Sequence, residues 1–142
     1  MFRKIMVPVD LAHVNHLQPT LEVAADLGKH YSVPVAYVGV TAETPTAMAH
    51  NPVEFATRME AFSAEQAKRH AIVAEGYGYP SHDPAIDLDK TLLKAIGEIG
   101  ADLVVMASHI PNLADHLWPS HGGSLASHAR VSVFVVRIQE GN

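Results

Sequence analysis

The chain has 142 residues, no cysteine and a formal net charge of −5, from 10 basic and 15 acidic side chains. The lack of cysteine excludes disulfides, thiol catalysis and cysteine-based zinc or iron–sulfur sites, and the acidic balance disfavours nucleic acid and anionic membranes as partners. No apolar run reaches the roughly 20 residues of a spanning helix, so we expect one domain over residues 1–142 that nothing anchors or exports.

The first third of the chain predicts a strand, a helix and a second strand. Residues 3–9 form a short run rich in branched apolar side chains, typical of a strand buried on both faces. Pro8 should mark its end, and Asp10 then follows its carboxyl end. Residues 16–31 repeat apolar positions at helical spacing. Residues 33–40 predict a second strand, parallel to the first because a helix-length crossover separates them.

The middle of the chain predicts a loop, a long helix and a weak strand. We expect a loop over 41–51, an amphipathic helix from Val53 to Glu75, and a short edge strand over 76–82, where glycine and proline interrupt the pattern. Four large apolar residues either cover a ligand as a lid or simply pack the second helix, and packing is favoured: Met48, Phe55, Met59 and Phe62.

The last third predicts a helix over 87–99, stopped by Gly100, and strands over 102–107 and 132–137. Alternating strands and helices favour an α/β fold with an open, doubly wound, five-stranded parallel sheet and helices on both faces. Periodicity leaves the strand order open. The run of apolar residues in the last strand would make an exposed sheet edge prone to pairing, which favours a dimer.

Three ordered motifs carry a resemblance that covers nearly the whole chain. They are Lys4-Ile-Met-Val-Pro-Val-Asp10, the strand Ala101 to His109, and His128-Ala129 leading into Val133-Phe-Val-Val-Arg137. With these the chain resembles the universal stress protein (UspA) family, in its single-domain form. Ala107-Ser108-His109-x-Pro111 is similar to a branch with an altered nucleotide loop.

The resemblance implies a Rossmann-like fold of the adenine nucleotide alpha hydrolase type, with strand order 3-2-1-4-5. It also implies a cytoplasmic protein and a homodimer, or a tetramer, formed through the last strand. Family members place the adenine and ribose near Pro8, Val9, Asp10 and Val40, and the ligand site continues to the end of the fourth strand at Met106 and Ala107. On physical grounds alone, Asp10 could equally cap the next turn or helix.

The expected phosphate loop departs from the family pattern. Nucleotide-binding members have Gly-x-x-Gly followed by a later Gly-Ser or Gly-Thr, whereas Ala107, Ile110 and Pro119 replace three of those glycines here. Side chains and bare backbone amides supply substitute donors at Ser108, His109, Ser120, His121, Gly122 and Gly123. Binding of ATP, or of ADP or AMP, with or without Mg²⁺, is therefore expected to persist. The alternative is that the altered loop has lost nucleotide binding.

The ten histidines match no standard metal site, so we assign no metal ligands. His13-x-x-His16 lies in a predicted loop before a helix, and the favoured interpretation is surface histidines. His109 and His121 differ because both flank the expected phosphate pocket, where either can donate to phosphate and protonation near neutral pH would make the affinity pH-dependent.

No nucleophile elbow, Walker loop or dinucleotide fingerprint is present, which argues against an efficient enzyme. The favoured function is an adenine-nucleotide-binding regulatory protein of the stress response, acting through an unknown partner. Family analogy indicates a transporter or a signalling protein as that partner. The alternatives are a dimeric interaction module that has lost nucleotide binding and a slow ATP hydrolase with Asp10 as a metal contact.

Overall fold

A computed structural model describes residues 1–45, 49–108, 125 and 129–137. Its strands form one five-stranded sheet in the order β3-β2-β1-β4-β5, and every neighbouring pair is parallel. This confirms the predicted fold class and strand order. The strands are β1 (Ile5–Pro8), β2 (Val35–Ala42), β3 (Ala74–Ser81), β4 (Leu103–Ala107) and β5 (Ser132–Val136).

The described helices are one 3₁₀ helix and three α-helices. A 3₁₀ helix (Leu11–Leu17) precedes α1 (Gln18–Tyr31), and α2 (Pro52–His70) and α3 (Pro84–Ile99) follow later in the chain. Each α-helix has a proline in its first two positions, where the missing N–H costs no helical hydrogen bond. Asn51 caps α2, since its side chain accepts from the Glu54 amide at 2.8 Å. The helix predicted to begin at residue 87 is α3, and it begins three residues earlier, at Pro84.

One helix end and one strand start were placed wrongly from the sequence, for the same reason. The predicted helix to Glu75 ends at His70, and the predicted strand at residue 33 begins at Val35. Ala71 and Ser32 adopt left-handed backbone conformations, with φ of 54° and 55°, and close the two helices. Backbone bonds from Ile72 to Ala67 and from Val33 to Gly28 complete each turn. Neither end carries the glycine that normally signals such a cap.

The sheet is covered on both faces by separate apolar cores. Ile5 and Val7 of β1 face α1 and α2, whereas Met6 faces α3, because alternate strand residues point to opposite sides. The first core includes Leu17, Leu21, Tyr37, Phe55 and Met59, and the second includes Val38, Leu88, Leu92, Val104, Met106 and Leu125. Helices thus lie on both sides of the sheet, as predicted.

Glycines let α2 pack directly on the edge of the sheet. A Cβ on Gly76 would overlap the backbone carbonyl of Met59, and one on Gly78 would come within 2.8 Å of the Phe55 ring. The alternating tyrosines, Tyr77 and Tyr79, instead pack against the core on the α3 side. The glycine-interrupted pattern that made β3 a weak strand in the sequence is therefore what its packing requires.

We predict that Gly76→Ala destabilises the protein by about 1–3 kcal/mol, since the backbone of α2 must move to admit the methyl group. Gly97→Ala is the matched control. Gly97 lies inside α3 with nothing near an added Cβ, so the same change should stabilise by about 0.5–1 kcal/mol. Urea unfolding of both variants measures the difference, and equal effects would contradict the packing argument.

A charged network joins Lys4, the residue before β1, to β3. Lys4 Nζ donates to Glu75 Oε1 at 3.1 Å, and the Tyr77 hydroxyl donates to the same oxygen at 2.5 Å. The hydrogen bond from Tyr77, and then Lys4, hold the pKa of Glu75 below its ordinary value despite its burial. The same hydrogen bond raises the pKa of Tyr77 to about 12.

This network should make stability depend on acid pH. Because the folded pKa of Glu75 is lowered, its contribution is present above the unfolded pKa of about 4.3 and is lost as the pH falls through the folded value. Glu75→Gln should therefore cost up to about 1 kcal/mol at neutral pH and less below about pH 4. Glu65→Gln, in the exposed pair with Arg69, is the control and should show no such trend. A pH-independent difference for Glu75→Gln would contradict this assignment.

Candidate functional site

The candidate site lies at the carboxyl edge of the sheet, where β1 and β4 separate. β1 pairs with β2 as far as Pro8 opposite Val38, but its pairing with β4 covers only Ile5 and Met6. Pro8 has no N–H to donate, so it cannot extend the hydrogen-bond ladder with β4. The chain winds from β1 to β2 in one direction and from β4 to β5 in the other. Ligands bind α/β sheets in the crevice at this kind of switch point.

The strand register brings three predicted site residues into one row. Ile5 lies opposite Val35 and Leu103. Counting five residues onward from each gives Asp10, Val40 and Ser108. Backbone hydrogen bonds of 2.8 Å from Val9 to Val38 and from Ser108 to Val136 carry the ladders past the strand ends. We call Asp10, Val40 and Ser108 the carboxyl-edge row.

The residues beneath this row are buried. Pro8, Val9, Met106 and Ala107 lie in the sheet with almost no exposed surface, whereas all three members of the carboxyl-edge row keep part of theirs. Val40 and Met106 belong to the core on the α3 side of the sheet. The predicted site residues thus divide into an apolar floor and an accessible rim.

Asp10 is a cap in this structure. Its Oδ1 accepts from the Ala12 amide at 3.0 Å, and its Oδ2 lies 2.8 Å from Nδ1 of His13. The side chain is 16% exposed. The capping interpretation is therefore correct, and the segment with His13 and His16, predicted as a loop, is the 3₁₀ helix. A carboxylate has about four lone-pair positions, so Asp10 retains capacity to accept further hydrogen bonds.

His13 is a residue that the sequence interpretation left among surface histidines. Its contact with Asp10 requires the proton on Nδ1, because an ionised carboxylate only accepts. The signal was available in the spacing: an N-cap aspartate reaches the third residue of the helix that it caps. Asp10 and His13 together form a fixed polar unit directly after β1.

Phe55 and Met59 pack the core and do not belong to the site. Their side chains are 4% and 0% exposed, and both lie in the cluster beneath α2. This confirms packing over a lid for these two residues. Met48 lies outside the described residues.

Five predicted site residues lie outside the described part of the chain: His109, Ser120, His121, Gly122 and Gly123. Ile110 and Pro119 do so as well, so the expected phosphate loop stays a prediction. Within the described ranges, no three His, Asp or Glu side chains gather closely enough to hold a metal ion. Each helix in those ranges is too short or too polar to cross a membrane.

A comparison with protein families tests the family membership that the three sequence motifs predicted. The model of the universal stress protein family matches residues 1–137. The chain belongs to the universal stress protein family.

Solved universal stress proteins share the fold at low sequence identity. A family member from Burkholderia pseudomallei is 21% identical, with 94% of each chain covered and a TM-score of 0.66. A universal stress protein in complex with cAMP is 14% identical over 97% of this chain and 99% of its own, with a TM-score of 0.68. One from Archaeoglobus fulgidus in complex with dAMP is 16% identical over 94% and 96%, with a TM-score of 0.61.

We predict that Asp10→Ala destabilises this universal stress protein by about 1 kcal/mol, since it removes the cap of the 3₁₀ helix. Asp83→Ala is the matched control. Asp83 occupies the N-cap of α3 without a capping hydrogen bond from its side chain, so its loss should cost only about 0.3 kcal/mol. Thermal unfolding distinguishes the two. Equal losses would mean that the side-chain contacts of Asp10 contribute nothing to stability.

Proposed function

We propose that this universal stress protein binds an adenine nucleotide, ATP or else ADP or AMP, across the carboxyl-edge row and acts as a regulatory protein of the stress response. The observation that carries the proposal is the row itself. It places a carboxylate, an apolar side chain and a hydroxyl on adjacent strands, at the switch point of the sheet.

The described residues fit the adenosine part of such a ligand. The remaining lone pairs of Asp10 can accept from ribose hydroxyls, and the partly buried Val40 side chain offers an apolar surface to a base. The buried floor beneath them keeps water away from that contact. The row contributes one carboxylate, so Mg²⁺ accompanying ATP would be bound mainly by phosphate oxygens.

The phosphates would lie toward Ser108 and the segment that follows it. The register places Arg137, which follows β5, beside Ser108, since Ala107 is opposite Val136. Its exposed guanidinium is a candidate phosphate donor that the sequence interpretation left unassigned. His109, Ser120, His121, Gly122 and Gly123 remain the candidates from the sequence.

Two similar structures support an adenine ligand. One universal stress protein is in complex with cAMP and another with dAMP, and adenine is the base of both ligands. These observations concern those proteins. For this chain they favour adenine over other bases and leave the number of phosphates to experiment.

Regulation would act through association. We propose a single domain over 1–142, located in the cytoplasm, that forms a homodimer, or a tetramer, through β5. This edge strand exposes Phe134 by 46% and Val135 by 42%, a surface that a second copy would cover. The regulated partner, a transporter or a signalling protein by family analogy, would then respond to the nucleotide state of the dimer.

Calorimetry with ATP, ADP and AMP, with and without Mg²⁺, tests the proposal. We expect dissociation constants on the order of micromolar for at least one nucleotide, and weakening of about tenfold or more in Asp10→Asn, since a charge-assisted hydrogen bond to ribose is lost. Asp26→Asn removes the same charge from the exposed face of α1 and is the control. Ser120→Ala should weaken only nucleotides that carry phosphates beyond the first.

Absence of binding by all three nucleotides would contradict the proposal and favour the second candidate, a dimeric interaction module. Ala107 at a family glycine position and the exposed apolar edge of β5 are its support. Phosphate release that requires Mg²⁺ and disappears in Asp10→Asn would instead indicate a slow hydrolase.

A further inference from the structure

A second groove lies on the α3 side of the sheet, between the end of β3 and the first half of α3. Its volume is about 480 Å³, within the size range of small-molecule sites. Tyr79, Ser81 and His82 line one wall, and Asp87, Lys90 and Lys94 line the other. We call it the β3–α3 groove.

Two ammonium groups stand along one wall of the groove. Lys90 and Lys94 are four residues apart on α3, so they lie one above the other on the same helix face. No carboxylate of the described residues lies within ion-pair distance of either lysine, whereas Lys4, Arg58 and Arg69 are paired. Lys90 and Lys94 thus form a pair of cations on one wall, with the Asp87 carboxylate on the same wall and the Glu98 carboxylate hydrogen-bonded to Tyr79.

The opposite wall holds a buried hydroxyl without a partner. Ser81 is 5% exposed, and among the described residues nothing forms a hydrogen bond with its Oγ. A buried hydroxyl left unsatisfied destabilises the protein, so a group that completes its hydrogen bonding is favoured there. A ligand hydroxyl in the groove would supply that group.

The remaining walls define the rest of the ligand. The Asp87 carboxylate can accept from a ligand hydroxyl, and the Tyr79 ring, packed against the core, offers a flat apolar surface. His82 lies at the rim, 4.0 Å from the Glu43 carboxylate. The cations follow Asp87 along α3, and Ser81 lies on the facing wall, an arrangement that matches a molecule with an anionic end and a hydroxylated end.

The groove is separate from the carboxyl-edge row. Tyr79 lies opposite Val40, and β3 is two strands away from β1, a distance of about 10 Å between Tyr79 and Asp10. The β3–α3 groove is therefore a second candidate binding site on the same sheet.

We propose that the β3–α3 groove binds a small phosphorylated polyol, such as a sugar phosphate, with its phosphate on Lys90 and Lys94 and its hydroxyls on Ser81 and Asp87. This site goes beyond the proposed nucleotide function and does not depend on it.

Amide NMR titration of the full chain with ribose 5-phosphate tests the proposal. We expect saturable shifts at residues 81, 82 and 90–94, and weakening of about tenfold or more in the double variant Lys90→Gln/Lys94→Gln. Lys68→Gln, an exposed lysine of α2, is the matched control and should bind within about twofold of the parent chain. Ser81→Ala should weaken binding about threefold. Asp10→Asn should leave this binding unchanged, which separates the groove from the nucleotide site.

Shifts that fail to saturate, or that spread evenly over the lysines of the chain, would overturn the proposal. An unchanged affinity in the double variant would do the same. Both lysines are exposed, so that variant should fold as the parent does. If Ser81→Ala raises the melting temperature of the free protein and leaves the affinity unchanged, the hydroxyl contact is wrong. Ribose alone binding as tightly as ribose 5-phosphate would contradict the role of the lysines.

Discussion

The pairing of β1 on both of its sides is the constraint on which the rest of the structure depends. Ile5, Met6 and Val7 are fully buried, and they contribute alternately to the cores on the two faces of the sheet. Because crossovers between parallel strands are right-handed, winding away from β1 in two directions places α1 and α2 on one face and α3 on the other. The reversal falls between β1 and β4, whose pairing ends at Met6 opposite Val104. The crevice is therefore a consequence of the packing that stabilises the sheet.

The edge strand β3 divides its residues between two different tasks. Gly76 and Gly78 face α2 and allow backbone contact, whereas Tyr77 and Tyr79 fill the space toward α3. Because the large side chains of β3 stand on the α3 face, α3 packs less closely on this strand than α2 does. The β3–α3 groove lies on that face. The sequence pattern that weakens β3 as an isolated strand thus gives the folded sheet one tightly packed face and one surface that a small molecule could enter.

The sequence predicted the sheet, its helices and the place of the crevice, because strand and helix periodicities are strong where side chains are buried. It misplaced the end of α2 and the start of β2, since Ala71 and Ser32 adopt a left-handed conformation without a glycine to indicate it. It also left open whether Asp10 caps a helix, because one carboxylate serves either role. The spacing of Asp10 and His13 carries the signal for their pairing, whereas the Ser81 hydroxyl, which has no hydrogen-bond partner among the described residues, depends on tertiary geometry that local patterns do not encode.

Under the proposed function, the two parts of a nucleotide would depend on different parts of the chain. Adenosine would contact strand ends whose positions follow from the register of the core and from a cap that also stabilises the 3₁₀ helix. The phosphates would contact the segment where Ala107, Ile110 and Pro119 replace family glycines. Loss of those glycines removes freedom for backbone amides to converge on phosphate, whereas Ala107 is the one residue of the four-residue floor that stands at a family glycine position. Such a chain should therefore distinguish adenine from other bases more strongly than it distinguishes ATP from AMP.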